Sequence, residues 1–349
     1  MSLLLRLPPE IMFNILRLLG SAFFHQDIRR LLISKWWYAF AWSVFCQDLK
    51  LHAGSLERFV LASKRANLLH SIRKYVQTVD LGLNGFEDWH STLSTSNATE
   101  STDVDLEVVH VWTSKLNGYM ADLAGILQQC TKLRLLKIEA RPERHPLHLR
   151  LQRRDYLTAS PLASLVSISQ LTCLEIDTAG THLMDDNDGP KLHLCSKIRT
   201  LLPTLRRLRY RMSSVCPTLL DVSAGGMPLA LEEVIINLSL SDNRGSDTSY
   251  RYPSRCEALP EDNFPRLKAD MESCARELVL QMNNLRIFRI LSHTFPGMDL
   301  HSFDVLAERQ MILAPTASWD ADGEELEERV SEKDLFDSDS SSEEFFISL

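Results

Sequence analysis

A spaced apolar triplet, apolar-x-x-apolar-x-apolar, recurs through most of this chain: Cys46/Leu49/Leu51, Val76/Val79/Leu81, Leu133/Leu136/Ile138, Leu171/Leu174/Ile176, Leu205/Leu208/Tyr210, Leu231/Val234/Ile236 and Leu285/Phe288/Ile290. The last two apolar positions of each copy alternate with a variable residue, the period of a strand with one buried face. Several copies follow a helix-like stretch, at 55–69, 118–130, 193–202 and 267–282. A helix, a short turn and a short strand cannot bury their apolar face alone; stacking such units sets parallel strands side by side. The copies are unevenly spaced, and the two longest intervals hold polar inserts at 90–105 and 241–261, which read as surface loops.

If the strands align in register, the residue between the two apolar positions forms a ladder: Lys137, Glu175, Arg209, Ile235, Arg289. Two residues further along lie Glu139, Asp177, Arg211, Asn237 and Leu291. Neighbouring strands are about 4.8 Å apart, so Lys137, Glu175 and Arg209 alternate in sign on adjacent rungs. Two readings stay open. The charges pair with one another across the sheet, or Lys137, Glu175, Asp177, Arg209 and Arg211 form a mixed-charge surface that contacts a protein substrate.

The first 46 residues differ in texture. Pro8 and Pro9 stand where a helix entrance tolerates proline, and Glu10 puts a carboxylate in the first turn, favourable to the helix dipole. Ile11, Ile15, Leu18 and Leu19 form an apolar stripe, widened by Phe13 and Leu16, and Gly20-Ser21 is expected to end this helix. Asp27 is placed to cap a second helix carrying Ile28, Leu31 and Leu32, and a third holds Trp36, Trp37, Phe40, Ala41 and Phe45. Three short helices cannot hide that much apolar surface among themselves, which implies a partner or an adjoining domain.

The ordered string Leu7-Pro8-Pro9-Glu10-Ile11, then Asp27-Ile28, then Ile33-Ser34-Lys35-Trp36-Trp37 resembles an F-box over residues 1–46, closest to F-box proteins of the filamentous-fungal type. The resemblance implies docking to a Skp-family adaptor and through it to cullin. The contact residues carried over are Leu7, Pro8, Pro9, Ile11, Ile15, Leu16, Leu19 and Ile28. This chain departs from the family in a longer loop at 20–26 and in Ser34, where Cys is common.

The expectation is therefore an α/β protein: an N-terminal three-helix F-box (1–46), an irregular leucine-rich-repeat-like α/β solenoid (47–313) and a disordered acidic C-terminal tail (314–349). Its expected role is that of a non-catalytic substrate-recognition subunit of an SCF-type E3 ubiquitin ligase. The alternative is an adaptor-binding interaction scaffold without a ligase role.

Charge supports the division. From Ser318 to Leu349 there are 12 acidic and 2 basic residues, leaving 36 basic and 34 acidic elsewhere. A nearly neutral remainder argues against a nucleic-acid binder. The longest apolar run, 36–46, is too short to span a bilayer, and the opening residues lack a secretory h-region, so no membrane partner is expected. The 7 cysteines are scattered with no CxxC pair and read as reduced thiols of the cytoplasm or nucleus; no metal site and no cofactor are expected. His145 and His148 form the one close histidine pair, on a Pro-containing loop poor in ligand partners. Arg141–Arg154 is a basic stretch that reads as a solvated loop, Ser340 and Ser341 suit acid-directed kinases, and Phe345-Phe346-Ile347 hints at a short docking motif. No phosphate-loop, GxSxG, GxGxxG or HExxH motif is present, and no catalytic residue is expected.

Overall fold

The computed structural model describes residues 7–64, 66–87, 102–142, 155–184, 192–221, 229–240, 252–256, 263–293, 299–314 and 317–326. It is a mixed α/β protein built on a ten-stranded, mostly parallel sheet. In chain order its strands are β1 (Asp48–His52), β2 (Thr78–Leu83), β3 (Leu135–Ala140), β5 (Cys173–Asp177), β7 (Arg207–Arg211), β8 (Glu233–Asn237), β9 (Ile287–His293), β10 (Leu300–Asp304), β11 (Arg309–Leu313) and β12 (Glu324–Glu325). The short β4 (Leu157–Thr158) and β6 (Leu183–Met184) pair separately.

All seven triplets fall on neighbouring parallel strands in one register. Leu49, Val79, Leu136, Leu174, Leu208, Val234 and Phe288 are successive Cα partners. The residue just before each strand extends the pattern. Backbone bonds of 2.7–2.8 Å run Gln77 N–H to Gln47 C=O, Arg134 to Gln77, Thr172 to Arg134, Arg206 to Thr172, Glu232 to Arg206 and Arg286 to Glu232. Equivalent positions of consecutive units are thus hydrogen-bonded in a continuous line, which satisfies backbone groups that a buried turn would otherwise orphan.

Among the described residues, the helices from 53 onward pack against the face of the sheet that bears the triplet residues. They are α3 (Ala53–Ser63), α4 (Ala66–Tyr75), α5 (Thr102–Leu127), α6 (Ala159–Val166), α7 (Leu194–Arg199) and α8 (Phe264–Val279). Their apolar stripes meet the triplet residues in a single core that includes Val60, Met120, Leu165, Ile198 and Met271 against Leu81, Ile138, Ile176, Tyr210 and Ile290. α8 shows the local logic: Asn263 caps it by accepting from the Arg266 N–H, Pro265 sits in the first turn, and Leu267, Met271, Ala275 and Leu278 line its buried side.

The N-terminal helices form their own cluster. α1 (Pro9–Gln26) and α2 (Lys35–Phe45) enclose Met12, Leu16, Phe24, Leu31, Trp37, Ala41 and Val44. Gly20 breaks α1 as expected, with φ 73°, but the chain resumes helical turns to Gln26 instead of stopping. Asp27 caps through the Arg29 N–H, and the element it opens is a single 3-10 turn, Ile28–Leu31. The Trp37 indole donates to the Arg30 carbonyl at 2.6 Å, tying this turn to α2.

Two expectations are corrected here. After the seven triplets that mark the parallel strands, the sheet continues antiparallel through β10, β11 and β12. The segment 317–326, expected to belong to a disordered tail from 314, is packed: Ala317 and Trp319 join Ile235, Leu291, Leu300 and Leu313 in an apolar cluster on the sheet face opposite the helices. Gly323 lies so close to β11 that a Cβ there would collide with the Ile312 carbonyl oxygen. Of the inserts, 102–105 belong to α5, and Tyr252–Cys256 is held by a parallel bridge between Ser254 and Ser214. The His145/His148 pair, the 144–154 basic stretch, Ser340, Ser341 and Phe345–Ile347 lie outside the described residues.

Candidate functional site

Two surfaces and one side-chain cluster carry chemistry. The first surface is on the N-terminal helices. Ile11, Leu18 and Leu19 project from α1 at 47%, 89% and 42% exposure, and Ile28, Leu32 and Ile33 come next at 61%, 72% and 61%. Ile11, Ile15 and Leu18 stand at i, i+4 and i+7, so they share a helix face. That face is not the one facing the internal cluster, which uses Met12 and Leu16. Pro8 and Pro9 are exposed; Leu7 and Ile15 are half-buried. Leu16 is the exception among the residues expected to contact an adaptor. It is fully buried, so its part is in holding α1 on α2.

The second surface is the sheet face opposite the helices. The ladder forms as expected and extends further: Lys50, Asp80, Lys137, Glu175, Arg209, Ile235 and Arg289 are successive partners. Lys137 meets Glu175 at 2.9 Å. Partial burial works against the Lys137 ammonium, but the hydrogen bond to Glu175 and the fields of Glu175, Glu139 and Asp80 outweigh it and raise its pKa. This half of the face is open, with Lys137, Glu139 and Glu175 at 25–33% side-chain exposure.

The other half is closed by its own chain. Arg209 is held by Glu233 at 2.6 Å and by Asp320 at 2.8 Å, and Arg207 also reaches Glu233, at 2.9 Å. Arg211 pairs with Asp177 at 2.5 Å and lies over the Trp319 ring. Arg289, 5% exposed, bonds to Asp322 at 2.6 Å. Hydrogen bonding from Ser318, with the charge of Arg209, keeps the Asp320 carboxyl below its ordinary pKa. Of the two readings left open for Asp177, Arg209 and Arg211, cross-strand pairing holds: Asp177 pairs with Arg211 and Glu233 with Arg209 within the sheet, and segment 317–326 adds Asp320 as a second partner of Arg209.

The cluster was not foreseen from sequence. His193, Cys195, Cys216 and Cys256 bring one ligand atom each to within 4.8 Å of one another. Cys195 and Cys256 sulfurs are 3.6 Å apart, and His193 Nε2 lies 2.8 Å from Cys216 Sγ. The thiols looked scattered because they arrive on three separate connections between sheet strands. The one local signal is His193-x-Cys195. These four are the residues that could hold a metal ion among those described.

Comparison with family models and with curated proteins finds no match to this chain. No helix among the described residues is long and apolar enough to cross a membrane.

Proposed function

We propose that this protein is a substrate-recognition subunit of an SCF-type ubiquitin ligase: the helices of 1–46 are an F-box that docks a Skp-family adaptor, and the leucine-rich-repeat-like domain of 47–313 presents a protein target. The observation that carries the reading is the exposed apolar row Ile11, Leu18, Leu19, Ile28 on a small helical module whose own core is complete without it. A separately cored module has no internal use for such a row, whereas a docking helix does. The entrance Leu7-Pro8-Pro9-Glu10-Ile11 that resembles the F-box lies at the start of the same helix. No bond-making step is assigned to the chain; its contribution is proximity and orientation of the target.

The target surface in this reading is the open half of the sheet face, around Lys137, Glu139 and Glu175. The rival reading, an adaptor-binding scaffold without a ligase role, draws support from the internal pairing of Asp177, Arg209 and Arg211, which leaves less free charge for a target. Tandem purification separates the two. Recovery of adaptor together with cullin supports the receptor; recovery of adaptor alone supports the scaffold; recovery of neither rejects both.

A further inference from the structure

We propose that His193, Cys195, Cys216 and Cys256 form a structural zinc site that fastens the 241–261 insert to the body of the sheet domain. The four residues come from three consecutive connections between sheet strands. His193 stands at the N-cap position of α7, without a side-chain capping bond, and Cys195 lies in its first turn, before β7; Cys216 follows β7; Cys256 lies between β8 and β9. The parallel bridge Ser214–Ser254, with Val215 N–H donating to Ser254 C=O at 3.0 Å and Ser254 N–H to Ser213 C=O at 2.9 Å, sets these two segments side by side. Cys216 and Cys256 each stand two residues beyond the bridge, so backbone pairing delivers both sulfurs to the same place.

The geometry and the donor set fit zinc. A Zn–S bond of about 2.3 Å puts sulfurs at the corners of a tetrahedron about 3.8 Å apart. The Cys195–Cys256 separation is 3.6 Å, and all four donors fall within 4.8 Å. Three thiolates and an imidazole select a soft or borderline ion over calcium or magnesium, and four protein ligands leave no open position, the mark of a structural site. Binding a dication there requires the three thiols to ionise, so uptake releases protons.

Other accounts explain less. Buried cysteines pack as small apolar groups, but that does not bring an imidazole nitrogen onto a sulfur. A Cys195–Cys256 disulfide would leave His193 and Cys216 without purpose. A Cys216–His193 nucleophile would need access, and Cys216 is 5% exposed. A site of this kind also has a use. The insert is long and polar, and a metal clip that closes such a loop lowers the entropy of the unfolded chain, as a disulfide would in an oxidising compartment.

The test uses the full chain purified under reducing conditions without chelator. Elemental analysis should find one zinc per chain. Cobalt(II) in its place should give the intense visible bands of a tetrahedral site and a thiolate-to-cobalt charge-transfer band. Cys216→Ser with Cys256→Ser should drop metal content to near zero, while Cys274→Ser, a thiol outside the cluster, should retain one equivalent. If the double variant does not fold, Cys256→His, which keeps four ligands, should still bind cobalt with a spectrum shifted by the loss of one sulfur. Three results would overturn the proposal: wild-type chain that takes up neither zinc nor cobalt at micromolar metal, metal content unchanged in a folded double variant, or a Cys195–Cys256 disulfide in peptides from rapidly alkylated cells.

Discussion

The carboxylate of Asp320 meets the guanidinium of Arg209 at 2.8 Å, joining residues 111 positions apart in the chain. Arg209 is already bound to Glu233, so the acidic segment completes an ionic network begun within the sheet. Trp319 reaches past the same strands to stack on Arg211 and to cover Ile235 and Leu291. The sheet face opposite the helices is therefore divided between a part sealed by residues 317–326 and a part open to solvent.

Two truncations separate the packed residues from the remainder of the acidic segment. Ending the chain after Leu326 should leave the melting temperature near that of the intact protein. Ending it after residue 316 removes the Trp319 contact, the Asp320 partner of Arg209 and the Asp322 partner of Arg289, a loss of about 2–4 kcal/mol or several degrees. Gly323→Ala should act in the same direction, because its Cβ cannot fit beside the Ile312 carbonyl. Equal melting temperatures for both truncations would show that the segment contributes nothing to the fold.

Acid should erase the contribution of Asp320 in a defined direction. Its folded-state pKa lies below the ordinary 3.8. A depressed carboxylate adds stability above its unfolded pKa, and that stability is lost as pH falls through the folded value. Wild type should therefore melt above Asp320→Asn at neutral pH, and the gap should close once the pH drops below the ordinary carboxylate range. A gap that persists unchanged into strong acid would assign the difference to packing.

Charge reversal at Arg209 and Arg211 should unfold or strongly destabilise the protein, because new carboxylates would face Glu233, Asp320 and Asp177 in a half-buried network. The open half tolerates change. Lys137→Glu alone places like charges beside Glu175 and Glu139, while the swap Lys137→Glu with Glu175→Lys restores the pair; a thermal double-mutant cycle should give a coupling of about 0.2–1 kcal/mol. The swapped protein should fold and bind adaptor yet fail to capture its target. Normal target capture by the swapped, folded protein would move the recognition surface elsewhere.

The parallel part of the sheet was legible in the sequence because each of its seven strands carries a local triplet. A triplet such as Leu171/Leu174/Ile176 ends in the alternation of a one-sided strand, and the helix-like stretches before several copies give it the context of a parallel stack. The ladder of Lys137, Glu175 and Arg209 came from register alone. The hidden part is tertiary. Asp320 and Asp322 sit in an acidic run whose composition reads as solvated, and nothing local marks Trp319 or Gly323 as the residues that dock it. Cys195, Cys216 and Cys256 have no motif spacing because the sheet, not the intervening chain, sets their separation. Leu16 and Leu18 are alike in composition and close in sequence; which of them faces the internal core depended on where α2 packs.

That distinction gives the sharpest test of the N-terminal surface. Leu18 is 89% exposed and Leu16 is fully buried. Leu18→Asp with Ile11→Asp changes two solvent-facing side chains on a single helix face and should leave the melting curve within about 0.5 kcal/mol of wild type. If this row docks the adaptor, burying two unpaired carboxylates in an apolar interface costs several kcal/mol, enough to abolish capture in a pull-down. Leu16→Ala should behave in the opposite way: it opens a cavity in the cluster of Met12, Phe24 and Trp37 and costs about 2–5 kcal/mol of the module's stability. Adaptor binding should then weaken only to the extent that the module unfolds, and should recover on cooling. Full adaptor capture by the folded Ile11→Asp, Leu18→Asp chain would sink the docking assignment.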